Sequence, residues 1–529
     1  MCMASCNASN RTRLALVLTV VLIGGMAVSA YAELQNVEVG AEIRTRGRYY
    51  VNTFVDGFAR EVRIPGEFLP RRPIGPRGVS SIFKWDDRGP DWKFLETALQ
   101  LNVRADFTND VGAFIELYDY FVWGEDFRSN WVTGADSRAN TSDDVEINQA
   151  YIDVDNLWGT PLRLRVGRQA LKFGKGWLVC DMLTPTQRLS FDAVRLTYDA
   201  DDFTVDAFAS KLFESGNAEE DGDVDFYGVY ATYKGLDFVQ LSAYWYWLRD
   251  ARAINDTNFL APVEWIEDLF SLDDYDPTNL HTVGIRANGR HGGFDYDLEL
   301  AYQFGEADAH GSLYAPLDEL YGDTRAKYDN WGAELTVGYT FEDIAWRPRP
   351  FVMGVYFGGE DNRDLSLWEW ANPFHRPQAS VSFNRLFSDV NYMPVVNDNG
   401  WLSNVYQLTA GIEAQPTEKI RVHFHVARDW IDEPFNAPKS VSIGDYRIPI
   451  APALSFWTDK GSDDIGWEAA MWVKYNYSDD LWFLLYGNYL WLDDGLTDGA
   501  FIQFNGTDFC GGSASDDGYY VFWMAVLKF

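Results

Sequence analysis

Cysteine, histidine and basic residues are scarce in this chain, and long apolar runs are confined to one place. Of four cysteines in 529 residues, Cys2 and Cys6 lie ahead of that run. Only Cys180 and Cys510 would remain in a processed chain, too few for a disulfide framework. No Cys-x-x-Cys-His occurs, so any haem would belong to a partner. No Gly-rich phosphate loop follows a strand pattern, and no Ser-His-Asp order with supporting turns is visible. The expectation is a protein that is not an enzyme and carries no cofactor. With 44 Lys and Arg against 79 Asp and Glu, the net charge is −35. Phosphate backbones need a basic face, so nucleic acid is excluded as a partner.

The apolar run, Leu14 to Val28, is short of the roughly 20 residues that a membrane helix needs. Arg11 and Arg13 precede it and Ala30-Tyr31-Ala32 follows. That order reads as a secretory leader, residues 1–32, with a mature chain of 33–529. Aromatic residues are abundant: 29 Tyr, 35 Phe and 21 Trp. Acidic disorder goes with few aromatics, whereas a membrane β-barrel needs aromatic girdles. The chain ends in the aromatic-rich, turn-free stretch Tyr519 to Phe529, suited to a closing strand.

Period two recurs throughout. From Val37 to Val51 the odd positions are mostly apolar, and the even ones include Glu38, Glu42, Arg44, Arg46 and Arg48. Leu99, Leu101, Val103 and Phe107 likewise oppose Glu96, Gln100, Asn102, Arg104 and Asp106. The pattern predicts eighteen strands, at about 37–51, 95–107, 111–123, 145–156, 161–169, 191–199, 202–213, 224–234, 236–249, 281–291, 293–305, 329–342, 348–359, 403–415, 418–431, 464–477, 480–493 and 518–529. Short turns alternate with long loops, which makes an all-β, transmembrane antiparallel barrel with long extracellular loops and both termini periplasmic. A soluble sandwich would leave the apolar face nothing to pack on.

The alternate face would line a pore, and its charges decide what passes. Basic candidates are Arg44, Arg46, Arg48, Arg104, Arg163, Arg165, Arg195, Arg286, Arg290, Arg421 and Lys474. Each guanidinium suits a carboxylate-bearing solute, or pairs with a carboxylate across strands and stiffens the wall. Arg44, Arg46 and Arg48 are the first choice for selectivity, because only two acids share their strand face. His423 and His425, two apart on one face, could supply two metal ligands; zinc would need two more, so a pore-lining role is preferred. A bridge between Cys180 and Cys510 would pin two long loops over the mouth; separate thiols are the alternative. The acidic stretches 219–223 and 272–276 read as solvated loops. Residues 60–77, basic and proline-rich, could collect an anion at the mouth or bind lipopolysaccharide phosphates.

The tract Leu164-Arg165-Val166-Gly167-Arg168-Gln169-Ala170-Leu171-Lys172-Phe173-Gly174, then Leu178-Val179 and Phe191-Asp192-Ala193-Val194-Arg195, resembles alginate-export-type outer-membrane porins. Asn148 to Asp153 is similar as well. The resemblance implies an eighteen-stranded barrel in the bacterial outer membrane that exports an anionic polyuronate, with Arg163, Arg165, Arg168 and Arg195 near a constriction. Two positions depart from the pattern: Trp177 stands where relatives often have arginine, and Cys180 where a small residue is usual. The expected function is passive passage of an anionic carbohydrate or another small anionic solute. A barrel that sheathes or docks a periplasmic secretion or electron-transfer partner is the alternative.

Overall fold

The structure, a computed structural model, describes residues 33–52, 62–63, 81–84, 91–123, 145–184, 187–214, 223–251, 278–306, 326–359, 379–396, 400, 402–436, 440–443, 446–449, 462–496, 500–504, 508–511 and 516–529. The expected leader, the acidic stretch 272–276 and most of residues 60–77 and 219–223 lie outside the described residues.

Eighteen strands form one closed antiparallel barrel. In chain order they are β1 (Leu34–Val51), β2 (Trp92–Phe107), β3 (Val111–Val122), β4 (Glu146–Val154), β5 (Leu162–Gln169), β6 (Phe191–Asp199), β7 (Phe203–Phe213), β8 (Val224–Leu236) and β9 (Val239–Asp250). The ring continues with β10 (Thr278–His291), β11 (Phe294–Glu306), β12 (Ala326–Tyr339), β13 (Arg349–Phe357), β14 (Val405–Thr417), β15 (Ile420–Ile431), β16 (Asp464–Asn476), β17 (Leu481–Leu492) and β18 (Gly518–Lys528). All eighteen expected strands are present, with β1, β2, β10 and β12 each beginning three residues earlier than their sequence pattern suggests. Ala379–Val381 adds in parallel to one end of β12 and is not part of the ring.

Closure joins β1 to β18, with Glu42 opposite Lys528 and Val51 opposite Tyr519. Phe529 and Ala41 exchange backbone hydrogen bonds of 2.8 and 3.0 Å. No edge is left unpaired in the ring, as a wall immersed in hydrocarbon requires. At the tight β2–β3 turn, Asn109 and Asp110 both take positive φ, 65° and 59°. Such a turn matches the strand twist, and Asn and Asp tolerate the left-handed region.

The apolar strand faces point outward. Val39, Ile43, Leu99, Leu101 and Val103 are exposed, whereas Glu42, Arg46 and Glu96 are buried inside. Among the described residues no helix is long and apolar enough to cross a membrane. Aromatic clusters mark both ends of the outer face. At the long-loop end Tyr49 meets Tyr519 at 5.9 Å, and His281 stacks between Trp247 and Phe304. At the short-turn end Tyr198 stacks on Phe203 at 5.6 Å, and Tyr339 meets Phe341 at 4.9 Å. Rings at both margins suit the two headgroup interfaces.

The lumen holds an apolar core that period two does not reveal. The connection after β5 and the one after β13 fold inward, burying Leu171, Phe173, Trp177, Leu178, Phe383 and Met393. They meet lumen-facing rings of β7 to β9, among them Phe208, Phe226, Tyr230, Tyr244 and Tyr246. The inward segments are also hydrogen-bonded to one another, Cys180 N to Phe387 O at 2.9 Å and Phe387 N to Leu178 O at 2.8 Å. A barrel of this width would otherwise enclose water.

Candidate functional site

Along β1 the lumen-facing arginines are held by carboxylates of β1 itself and of the neighbouring strand β2. Register places Arg46 opposite Glu96. Glu96 Oε1 accepts from Arg46 Nε and, at 2.8 Å, from Arg48 Nε, while Oε2 accepts from Tyr120 at 2.7 Å. The side chains of Arg46 and Glu96 are only 3% and 0% exposed. Arg44 pairs with Glu42 at 2.5 Å, and Lys528 reaches the same carboxylate at 2.8 Å. The sequence reading missed this sharing because it counted only acids on the arginines' own strand. Arg188, from the inward connection after β5, lies 4.0 Å from Glu42 and 3.6 Å from Asp181. Five cations, Arg44, Arg46, Arg48, Arg188 and Lys528, thus gather around Glu42 and Glu96, with Asp181 also on Arg188.

Other candidates follow the cross-strand pairing rule. Arg165 grips Asp153 with two bonds, 2.7 and 3.0 Å, and its guanidinium lies over Tyr151. Arg195 pairs with Asp206 and lies over Phe173, directly beneath the inward segment. Arg286 binds Asp297 at 2.9 and 2.6 Å. Arg104, by contrast, pairs along its own strand with Asp106 at 2.9 Å, while Arg163 pairs with Asp155. Acidic β11 is neutralised from both sides, since Arg349 takes Asp295. Arg349 stands at the margin of its strand and escaped the sequence reading.

Arg168 is a correction. It faces outward, opposite Asp192, and binds that carboxylate at 2.8 and 2.9 Å. Strand parity dictates this, because Arg163 and Arg165 occupy the inward positions of β5. The intervening Gly167 has φ of 126°, and a Cβ there would meet Ala150 O at 2.3 Å. Glycine is therefore required where β5 presses on β4.

Arg421 differs from all of these. It sits opposite Lys474 near the short-turn end, and among the described residues neither forms an ion pair. Lys474 Nζ lies 4.2 Å from the centre of the Trp482 ring.

The inward connection after β5 narrows the lumen. Lys175 reaches Glu334 midway along β12, and Tyr392 donates to the same carboxylate. Trp177 Nε1 donates to Tyr392 Oη at 3.0 Å, and the indole stacks on Phe357. Gly174, with φ of 57°, leaves room for Tyr230 and Arg286; a Cβ would lie 3.0 Å from the Tyr230 hydroxyl. Opposite, buried Arg385 lies 4.8 Å from both the Phe357 and Tyr392 rings. Lys175, Arg188 and Arg385 were not singled out from the sequence, since loop residues carry no period.

Cys180 is a free, buried thiol, 3.3 Å from Asp181 Oδ1, so the bridge to Cys510 is not formed at this end. The Cys510 side chain lies outside the described residues. Burial, with Asp389 nearby, pushes the Cys180 thiol up to about 12. An exposed thiol ionises near 8.5, so iodoacetamide at about pH 8 is expected to spare Cys180 until the barrel is unfolded. Labelling of the folded protein, read by mass spectrometry, would mean that the inward segment swings out. His423 and His425 face each other in the lumen, and among the described residues no three His, Cys, Asp or Glu side chains are placed to share a metal ion.

A family model described as alginate export matches residues 85–434. No curated protein matches the chain. Solved structures of similar fold include OccK8 (OprE) of Pseudomonas aeruginosa, 12% identical with a TM-score of 0.47, covering 93% of this chain and 98% of that one. OprD of the same organism is 10% identical with a TM-score of 0.46, covering 94% and 95%. OccAB4 of Acinetobacter baumannii is 10% identical with a TM-score of 0.46, covering 93% and 98%. The family match spans more than half of the chain and takes in the whole inward segment after β5, so this closed barrel belongs to the alginate export family and is a bacterial outer-membrane channel protein.

Proposed function

We propose that the channel passes an anionic carbohydrate, polyuronate-like in its carboxylates, or another small anionic solute. The observation that carries this reading is Arg421 opposite Lys474, two like charges facing each other across β15 and β16 with no counter-charge among the described residues. Like charges directly opposite are unfavourable, and an anion between them relieves the repulsion. The basic side chains gathered around Glu42 and Glu96 support the same sign. Arginine adds geometric preference, because its planar fork holds a carboxylate in two bonds.

The reading includes short turns and termini on the periplasmic side, and cleavage of the leader after Ala32. N-terminal sequencing of the membrane-inserted protein is expected to begin at Glu33. A mature chain that retains residues 1–32 would reject that part.

Selectivity is tested in planar bilayers under a salt gradient. The wild type is expected to favour anions and to be blocked by polyuronate. Replacing Arg421 and Lys474 together by glutamine should move the reversal potential toward cation preference. Replacing Arg44, Arg46 and Arg48 together should do so as well, with a loss of barrel stability that the first pair does not show. Cation preference in the wild type, without block by polyanions, would reject the anionic cargo.

A further inference from the structure

We propose that Trp472 and Trp482 are specificity-determining residues of the channel, stacking on a pyranose ring while Arg421 and Lys474 take the carboxylate that the ring carries. The carboxylate half of this contact rests on the anionic reading above; the ring half does not.

Trp245, Trp331, Trp467 and Trp491 stand exposed on the outer face, where interfacial girdles use such rings. Trp472 on β16 and Trp482 on β17 have the opposite parity. Their neighbours Met471 and Phe483 are exposed on the outer face, so both indoles enter the lumen. Among the described residues neither joins the apolar core that the inward segments form. Both stay half-buried. An indole in an aqueous passage keeps apolar surface against water, an unfavourable contact until a solute covers it.

Register sets the order along the wall. Trp472 lies opposite His423 of β15, Lys474 lies opposite Arg421, and Trp482 lies opposite Asn476, two residues beyond Lys474. Toward the short-turn end the rows therefore read indole, two cations, indole, each step being roughly 7 Å along the strand. One face of each ring is backed. His423 stacks on Trp472 at 5.3 Å with an interplanar angle of 8°, and Lys474 Nζ stands 4.2 Å from the Trp482 ring centre. These contacts fix the ring planes and leave the rest of each indole to the channel. Arg421 is exposed beside them.

The chemistry that fits is a sugar acid in its ring form. A pyranose carries C–H groups on its faces and hydroxyls around its rim, so a face can lie on an aromatic ring while the hydroxyls keep their hydrogen bonds. The carboxylate of a uronate projects from that rim. With the sugar on either indole it lies beside the stack, where the next row holds Arg421 and Lys474. A small inorganic anion uses the cations alone, and an open-chain acid of equal charge offers no flat face. The indoles thus separate solutes that the charges treat alike.

The test uses the folded full-length barrel in planar bilayers, with glucuronate and gluconate, its open-chain counterpart of equal charge and carbon number, as probes. Glucuronate is expected to block the wild-type current at a roughly tenfold lower concentration, the effect of burying one ring face. Equal half-blocking concentrations in the wild type overturn the proposal, and this outcome depends on no variant folding. Trp472→Leu/Trp482→Leu should bring the two concentrations together. Arg421→Gln/Lys474→Gln should raise both and keep their ratio. If the tryptophan variant also raises both alike, the indoles merely position Lys474 and the proposal fails. The ring contact is read without charge as well, since maltotriose should block the wild type and block the tryptophan variant less. If the wild type prefers cations, the anionic reading fails and maltotriose alone decides. Block that the tryptophan variant weakens then upholds the ring contact; no block, or block that the variant leaves unchanged, overturns it.

Discussion

Trp177→Ala is expected to raise single-channel conductance while leaving the barrel folded. The indole is fully buried, stacks on Phe357, packs at a tilt against Phe383, and donates to Tyr392. Truncating a buried tryptophan to alanine costs about 3–5 kcal/mol, because the transfer energy is lost and a cavity remains. That loss falls on the inward segment alone, since the strands are held by their own backbone ladders. The segment should therefore leave the lumen before the wall yields. Conductance measured beside the heat-modifiable gel mobility separates the two effects. Unchanged conductance would show that this segment does not limit the pore. Trp177→Phe keeps the stacking and loses one hydrogen bond, worth about 1 kcal/mol, so it should stay near wild type.

Glu96→Gln should have the largest effect on the wall itself. Its carboxylate is completely buried and shared by Arg46, Arg48 and Tyr120. Removing one partner of a buried charge pair costs about 3–5 kcal/mol, far more than a surface pair is worth. Urea unfolding monitored by tryptophan fluorescence is expected to show a lower midpoint. The same variant leaves one more net positive charge at the lumen wall, so the surviving channels should be more selective for anions. Combining it with Arg46→Gln removes one cation as well, and should restore part of both properties. If Glu96→Gln matches wild-type stability, the charge network is not what holds β1 to β2 on this face.

The strands were legible because lipid and water impose opposite demands on alternate residues, and Val39, Ile43, Leu99 and Leu101 obey them residue by residue. The partners of the arginines were not, since they depend on register. Arg46 and Glu96 are fifty residues apart, and nothing local states that they will lie side by side. Arg168 shows a different failure: parity with Arg163 and Arg165 turns it outward, and only the family resemblance had drawn it inward. The inward segments were illegible for a third reason. Trp177 has no periodic neighbours, and its burial is settled by Phe357, Phe383 and Tyr392, about two hundred residues away in the chain. At His423 and His425 the spacing of two was plain, but the facing of the ring nitrogens needed the positions of Glu413 and Glu468.

The β1–β18 seam bears on how the barrel is made. Asn52 reaches the carbonyl of Asp517 across 465 positions of chain, so the first strand to be synthesised waits for the last. In polymer terms the wait is cheap. Chain-closure entropy grows only as the logarithm of length, so this contact costs roughly 3 kcal/mol more than closing a neighbouring hairpin. The ten register pairs that the seam then gains outweigh that difference. Electrostatically the event is abrupt. Before closure Glu42 lacks Lys528 and the arginines of β1 face an open groove; afterwards they face an enclosed lumen. The charge pattern that would sort solutes thus comes into being in a single late step, and a barrel arrested one strand short would be a leak rather than a weak filter.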